Sequence, residues 1–266
     1  MRGIFHAHSA YSHDGELSLH DLSGLLLAQD LEFCVLTDHS DDLTPDSYAQ
    51  LLEEISVVNG TTEFEFIPGI EMSCGVAHII LLDAPEHPMT VDWREVVSFS
   101  RSHNLLSILA HPTRLSDSAI VGEILGEVRG VEIWNAREDG RYSPDLDRLS
   151  MFIPTLREEH LLFFGVDYHE TGDCLDNVLE VDAGGDEGSL LDRLSSGKYR
   201  NVNRSGISLP SRSGDLLDEL RVPPALDGKG RRQRTLRQIF RSGADFLKYV
   251  GIRIPGRLSR AVKRRV

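Results

Sequence analysis

The chain opens Met1-Arg-Gly-Ile-Phe-His-Ala-His-Ser-Ala-Tyr-Ser-His-Asp14, a short apolar run that delivers His6 and His8 and then turns. On a strand the side-chain period is two, so His6 and His8 are expected on one face at neighbouring positions. Such a pair is a two-pronged ligand for zinc, iron, nickel or copper, provided more donors arrive from elsewhere. Taken alone it reads more readily as a half-buried strand that happens to alternate.

Other metal-capable residues repeat the pattern at the ends of apolar runs. They stand in Phe33-Cys-Val-Leu-Thr-Asp-His39, Phe66-Ile-Pro-Gly-Ile-Glu71, Ser107-Ile-Leu-Ala-His111 and Leu162-Phe-Phe-Gly-Val-Asp167-Tyr-His169. Ligands placed again and again at strand ends predict a barrel whose donors converge on one rim. Their number exceeds what one ion can use.

The intervening sequence alternates between strand and helix signals. Ser18, with an acidic residue three positions on, caps a helix to about Gln29; Thr44 and Pro45 open another to about Val58. Strands are expected at 33–36, 65–70, 77–82, 105–109, 130–134, 162–166 and 177–181, and helices near 91–103, 117–128, 144–160 and 187–196. This alternation predicts a parallel sheet, most economically a closed α/β barrel. Residues 198–212 suggest a final edge element.

At 266 residues and 40% hydrophobic, the chain can bury a sizeable core. No run approaches a membrane span of ~18 apolar residues, and no leader pattern is evident. A cytoplasmic location is expected, with peripheral membrane attachment as an option. Cys34, Cys74 and Cys174 are too few and scattered for a disulfide framework. His20, His87, His103 and His160 read as helix or loop residues.

The net charge of −14 conceals a division. Residues 228–266 hold 13 Lys or Arg against one acid, Asp245, whereas residues 1–227 hold 15 basic and 41 acidic residues. A domain over 1–212, a Pro- and Gly-containing linker over 213–230 and a basic amphipathic tail over 231–266 are therefore expected. In the tail Leu236, Ile239, Phe240 and Leu247 fall at helical intervals, with Arg234, Arg237 and Arg241 on other faces. Such a helix can bind an anionic membrane surface, track phosphates or fold back on the acidic body.

The ordered motifs His-x-His, Asp, Asp-His, Gly-Ile-Glu, His, Ala-His-Pro, Glu-x-x-Asn and Asp-x-His, running from about Arg2 to about Val181, resemble the polymerase-and-histidinol-phosphatase (PHP) domain of metal-dependent phosphoesterases. The resemblance implies a distorted (β/α)7 TIM-like barrel. His6, His8, Glu71 and Asp167 make one ligand set, with Glu71 able to bridge. The resemblance adds His78 and His111 around a second ion, and Asp14, His39 and His169 around a third, with His13 competing for the place of Asp14. Two or three divalent ions, Zn, Mn or Fe, are implied.

Ions packed together supply hydroxide at neutral pH, neutralise phosphoryl oxygens and orient attack. Neither a Gly-x-Ser-x-Gly elbow nor a Gly-Lys-Ser phosphate loop is present. Catalytic roles are expected for Glu71, Asp167 and His169, either of the last two handing a proton to the leaving oxygen. Arg114, Asn135 and Arg137 are expected on rim loops as substrate contacts. The reading is a phosphoesterase acting on a small phosphorylated substrate or a short oligonucleotide. A C–N or C–O hydrolase on the same ions, and a metal-dependent binding or regulatory module, are the alternatives.

Overall fold

A computed structural model describes residues 1–216 apart from residues 116, 142, 146–148, 150–151 and 183–187. Most of the expected linker, and the whole tail, lie outside the described residues. The chain forms β1 (Arg2–Ala7), α1 (Leu19–Leu27), β2 (Phe33–Leu36), α2 (Pro45–Thr61), β3 (Glu65–Ser73) and β4 (His78–Leu82). Then follow α3 (Trp93–Ser102), β5 (Leu106–Ala110), α4 (Ser118–Leu125), β6 (Gly130–Asn135), β7 (Leu161–Gly165), β8 (Asn177–Val181), α5 (Leu190–Ser195), β9 (Tyr199–Asn203) and β10 (Ile207–Pro210).

The helix starts follow from their caps. Ser18 Oγ accepts the Asp21 N–H and donates to the Asp21 carboxylate, while Thr44 and Ser47 cap α2 reciprocally with Pro45 at its first turn. Each cap contributes on the order of 1 kcal/mol by satisfying otherwise orphaned N–H groups. The expected helix at 144–160 is only partly covered by described residues, among which 153–155 form a single 3-10 turn.

The sheet is α/β and nearly closed, with strand order β10-β9-β8-β1-β2-β3-β4-β5-β6-β7. Closure comes where the chain after β7 meets β1: Val166 N–H donates to Phe5 O, and His8 N–H to Tyr168 O. It departs from a uniformly parallel (β/α)7 barrel at β4, which runs antiparallel to both β3 and β5. The four residues Cys74, Gly75, Val76 and Ala77 turn β3 directly into β4, and Gly75 takes a φ of +69° that glycine adopts without strain. No helix fits in so short a connection. A second departure is the antiparallel set β8-β9-β10, which replaces a simple final edge element with a hairpin.

Two apolar clusters divide the wall. Ile4, Ala7, Cys34, Leu36, Phe66 and Met72 pack outward with α1–α4, whereas Phe5, Phe33, Val35, Ile67, Ile108 and Phe163 fill the lumen. Phe5 stacks on Phe163 with ring centroids 4.6 Å apart, and Phe163 on Tyr199 at 5.2 Å. Full burial of each such ring is worth roughly 2–3 kcal/mol.

The seam beneath β7 is polar and completely paired. The Asn201 amide donates to Leu162 O (2.8 Å) and Pro210 O (3.2 Å) and accepts the Phe164 N–H (2.8 Å). Asn203 donates to Asn177 Oδ1, and Asn177 to Gly165 O. The body continues past its expected end at 212: Ser213 N–H donates to His160 O, Gly214 N–H to Glu158 O, and Leu216 is buried.

Candidate metal centre

The convergence of His6 and His8 has a different origin from simple alternation. Along β1 the pairing with β2 skips one residue: Phe5 faces Val35, Ala7 faces Leu36, and His6 is the extra residue, with φ +71°. Without this bulge, His6 and His8 would lie on the outward face with Ile4. The bulge turns His8 onto the lumen face of Phe5 and re-aims His6, which is what bulges do beside functional sites. A second bulge follows the same logic in β6. The register shifts between Glu132 and Trp134, so Glu132 and Asn135, three apart, both point inward.

Glu71, at 0% exposure, lies at the centre. Its Oε1 is 2.8 Å from His78 Nδ1, 2.9 Å from His111 Nε2 and 3.5 Å from His6 Nε2. Its Oε2 is 2.9 Å from His39 Nδ1 and 3.6 Å from His8 Nε2. The two oxygens thus face two different groups of imidazoles. Asp167 Oδ1 stands 3.4 Å from both His6 Nε2 and His8 Nε2. His169 Nε2 is 3.2 Å from Asp14 Oδ2, and His39 Nε2 is 3.5 Å from Asp14 Oδ1.

Among the described residues, donor atoms within 4.8 Å of one another form four overlapping groups: His8, Asp14, His39 and His169; His6, His8 and Glu71; His6, His111 and Asp167; and Glu71, His78 and His111. All nine expected ligands are therefore brought together. Asp14, rather than His13, turns into the cluster; His13 is mostly exposed and its ring and backbone N–H bond Asp42. Gly15 lets this loop close, since a Cβ there would lie 1.9 Å from Ser9 O.

The donor set fits cations. His6 Nε2 and His8 Nε2 are buried without a hydrogen-bond partner, and an unpaired buried nitrogen is costly unless something coordinates it. Separations of 2.8–3.6 Å match the edge lengths, about 3.0–3.4 Å, of octahedral or tetrahedral shells with bonds of about 2.1 Å. Electrostatics agrees. Burial opposes charge on His6, yet Asp167, Glu132 and Glu71 outweigh it and hold this imidazole well above its ordinary pKa. Burial likewise resists charge on Glu71 and Asp167, but the surrounding histidines, His6 foremost, keep both carboxyls below the usual range. His8 differs: burial dominates and lowers its pKa.

Behind the donors stands a layer that sequence reasoning named only as part of a motif or missed. Glu132 accepts from His6 Nδ1 (3.2 Å), the His111 N–H (2.6 Å) and the Asn135 amide (3.0 Å), leaving His6 Nε2 aimed at the cluster. Gly165 makes room for it; a Cβ there would meet Glu132 Oε1 at 1.4 Å. Buried Asp38 accepts from Ser9 and Ser12, and Ser12 Oγ accepts the His39 N–H, fixing the loop beside His8. Serines and a carboxylate in an Asp-His pair carry no distinctive spacing, so only the fold reveals them.

Asn135 is corrected from rim residue to wall residue. It is fully buried, and its amide donates to Glu132 and to Asp167 Oδ2 while its oxygen accepts the Arg137 and Glu138 N–H groups. Arg114 and Arg137 do reach the mouth. With Asp14, His39, Glu71, His78, His111, Glu138, Asp167 and His169 they line a cavity of about 110 Å³. Arg114 is tethered to Glu138 and Arg137 to Asp173. His160 is a core residue bonded to the Arg157 N–H and Leu125 O, while His20 and His103 are exposed. All three cysteines are free thiols outside the cluster.

No protein-family model matches the chain, and no curated protein matches it by sequence. Solved structures share its shape. A two-domain Bacteroides vulgatus protein, whose name includes a PHP-like metal-dependent phosphoesterase, is 15% identical, with a TM-score of 0.54 over 76% of this chain and 64% of that one. An amidohydrolase from Chromobacterium violaceum, solved with sulfate and no metal, is 14% identical, with a TM-score of 0.49 over 74% and 96%. A Bifidobacterium adolescentis protein provisionally named a metal-dependent phosphoesterase is 11% identical, with a TM-score of 0.47 over 64% and 88%. The first of these supports a shared fold. No helix among the described residues is long and apolar enough to cross a membrane.

Proposed function

We propose that the chain is a metal-dependent phosphoesterase of the PHP type, acting through two or three divalent ions held by His6, His8, Asp14, His39, Glu71, His78, His111, Asp167 and His169. The observation that carries the reading is Glu71, whose two buried oxygens face two imidazole groups beneath a mouth bearing Arg114 and Arg137. Bound ions of this kind activate water and neutralise the oxygens of a phosphoryl group. A mix of imidazole and carboxylate donors suits zinc, manganese or iron.

The remaining work belongs to the chain. Arg114 and Arg137 line the same cavity as the metal-capable residues and offer planar donors matched to phosphate oxygens. This favours a phosphorylated substrate, a small molecule or a short oligonucleotide. Asn135 donates to Asp167 Oδ2 and fixes that carboxylate beside the cluster. Proton delivery to the leaving oxygen falls to Asp167 or His169.

Purified chain supplied with zinc, manganese or iron should release phosphate from a generic aryl phosphate, and His8→Ala should lose both bound metal and turnover. Turnover of aryl amides or esters without any phosphate release would overturn the phosphoester reading in favour of carbon–nitrogen or carbon–oxygen hydrolysis. A wild type that retains no metal would overturn the centre itself.

A further inference from the structure

A second cavity lies apart from the metal cluster and is about 540 Å³ against its 110 Å³. It is a groove between α2, α3 and the loop joining β4 to α3, with apolar walls from Pro45, Tyr48, Pro85, Pro88, Met89 and Phe99. Met89 is 72% exposed, and Val91 in the same loop 69%.

The polar groups of the groove all ask for donors. Glu86 and Glu95 line it and no Lys or Arg does. The Thr90 hydroxyl is already given to Glu95. His87 is committed to the fold, its Nε2 lying 3.1 Å from the Ser40 carbonyl. The fitting occupant presents apolar side chains flanked by cationic N–H donors.

The chain contains one such segment. Residues 228–266 carry a net +12, against −26 for residues 1–227, and set Leu236, Ile239 and Phe240 among Arg234, Arg237 and Arg241. From Leu216, the last described residue, to Phe240 are 24 residues, an extended reach of up to about 79 Å. A body of this size has a radius of gyration of only about 17 Å. An anionic membrane would satisfy the arginines and leave the groove open, whereas docking in cis satisfies both.

We propose that this groove is the docking site of the chain's own basic C-terminal segment, with Leu236–Phe240 against the apolar walls and the flanking arginines facing Glu86 and Glu95. The inference does not depend on the reaction at the metal cluster.

The test uses the full chain with Phe240 replaced by the photo-cross-linker p-benzoylphenylalanine, in mixed light and heavy isotope preparations. Peptide mapping should find adducts within residues 45–49, 85–90 or 95–99 of the same chain. Yield should fall at least tenfold when the exposed groove residues are changed in Ala49→Arg/Met89→Lys. Adducts elsewhere on the body, on a second copy or on added phosphatidylserine vesicles would each overturn the proposal. So would an undiminished yield in the double variant, or no adduct at all; the wild-type adduct map decides even if the variant misfolds.

Discussion

The metal cluster and the asparagine seam along β7 treat buried polar atoms in opposite ways. At the rim, His6 Nε2 and His8 Nε2 are buried and unpaired, and carboxylates crowd imidazoles. At the seam, Asn177, Asn201 and Asn203 are as deeply buried, yet their amides are spent on backbone and one another. Satisfied polarity of the second kind specifies register and closure. Orphaned atoms crowded together, as at the cluster, call for a partner from outside the chain.

Substitutions in the two regions should therefore separate ion binding from folding. The largest effect is expected at Glu71. Glu71→Ala should abolish metal retention and cut turnover by more than the ~100-fold typical of supporting residues, with an unchanged circular dichroism spectrum. Glu71→Gln should lose nearly as much, and turnover retained in both would mean that the bridging role is wrong. Glu132→Gln, one layer back, should weaken metal affinity about 10–100-fold while the chain stays folded; metal titration measures this. Equal affinity in variant and wild type would show that Glu132 is only a packing group.

At the seam the contrast should invert. Asn201→Ala strands the Phe164 N–H and takes a donor from Pro210 O and from Leu162 O, which keeps the Tyr199 hydroxyl, at a cost of about 1–3 kcal/mol for a buried group left unsatisfied. The melting temperature should fall by several degrees with metal stoichiometry intact, and a variant that loses metal without losing stability would erase the distinction. Smaller still, Arg114→Ala and Arg137→Ala should raise KM several-fold with kcat less affected, since each arginine sits at the mouth and is half-exposed. A larger kcat loss than KM change would move them from binding to chemistry.

Next to the cluster's supporting layer lies Asp139, which burial pushes up to about 6 despite hydrogen bonds from Thr113 and the Asn135 N–H. The folded state holds this proton more tightly than the unfolded chain does. Its contribution to stability is thus full below the ordinary carboxylate pKa of about 4 and declines as pH rises to about 6. Carboxyl resonances should report the midpoint, and titration below about 4.5 would contradict the buried setting.

The sequence reveals the ends of strands better than their directions. His39, Glu71, His111 and Asp167 announce themselves because charged groups terminating apolar runs are unusual. β4 was legible as a strand, but strand–helix alternation as a template hides that Ser73-Cys-Gly-Val-Ala77 is a hairpin connection. The β1 and β6 bulges leave no mark on composition, so the right pairing of His6 with His8 rests on geometry other than period two. Asn135 looked like a rim residue because its strand ends there; only the bulge at Ile133 turns it inward. The Asp38 and Ser12 supports needed the folded loop to be seen at all.

Three donors around Glu71 sit on left-handed backbone without being glycine: His6 at φ +71°, His111 at +25° and Asp167 at +58°. Each such residue costs on the order of 1–3 kcal/mol and persists because neighbours overdetermine it. Here the lock is mutual, since Asp167 and Tyr168 both donate their N–H groups to His6 O. Protein engineers should expect a trap. A thermostability screen run in chelator would reward glycine at these positions, because relief of strain would be visible and loss of ion binding would not. Repeating the screen with saturating divalent cation should reverse the ranking, as the ion stabilises only chains that retain these donors.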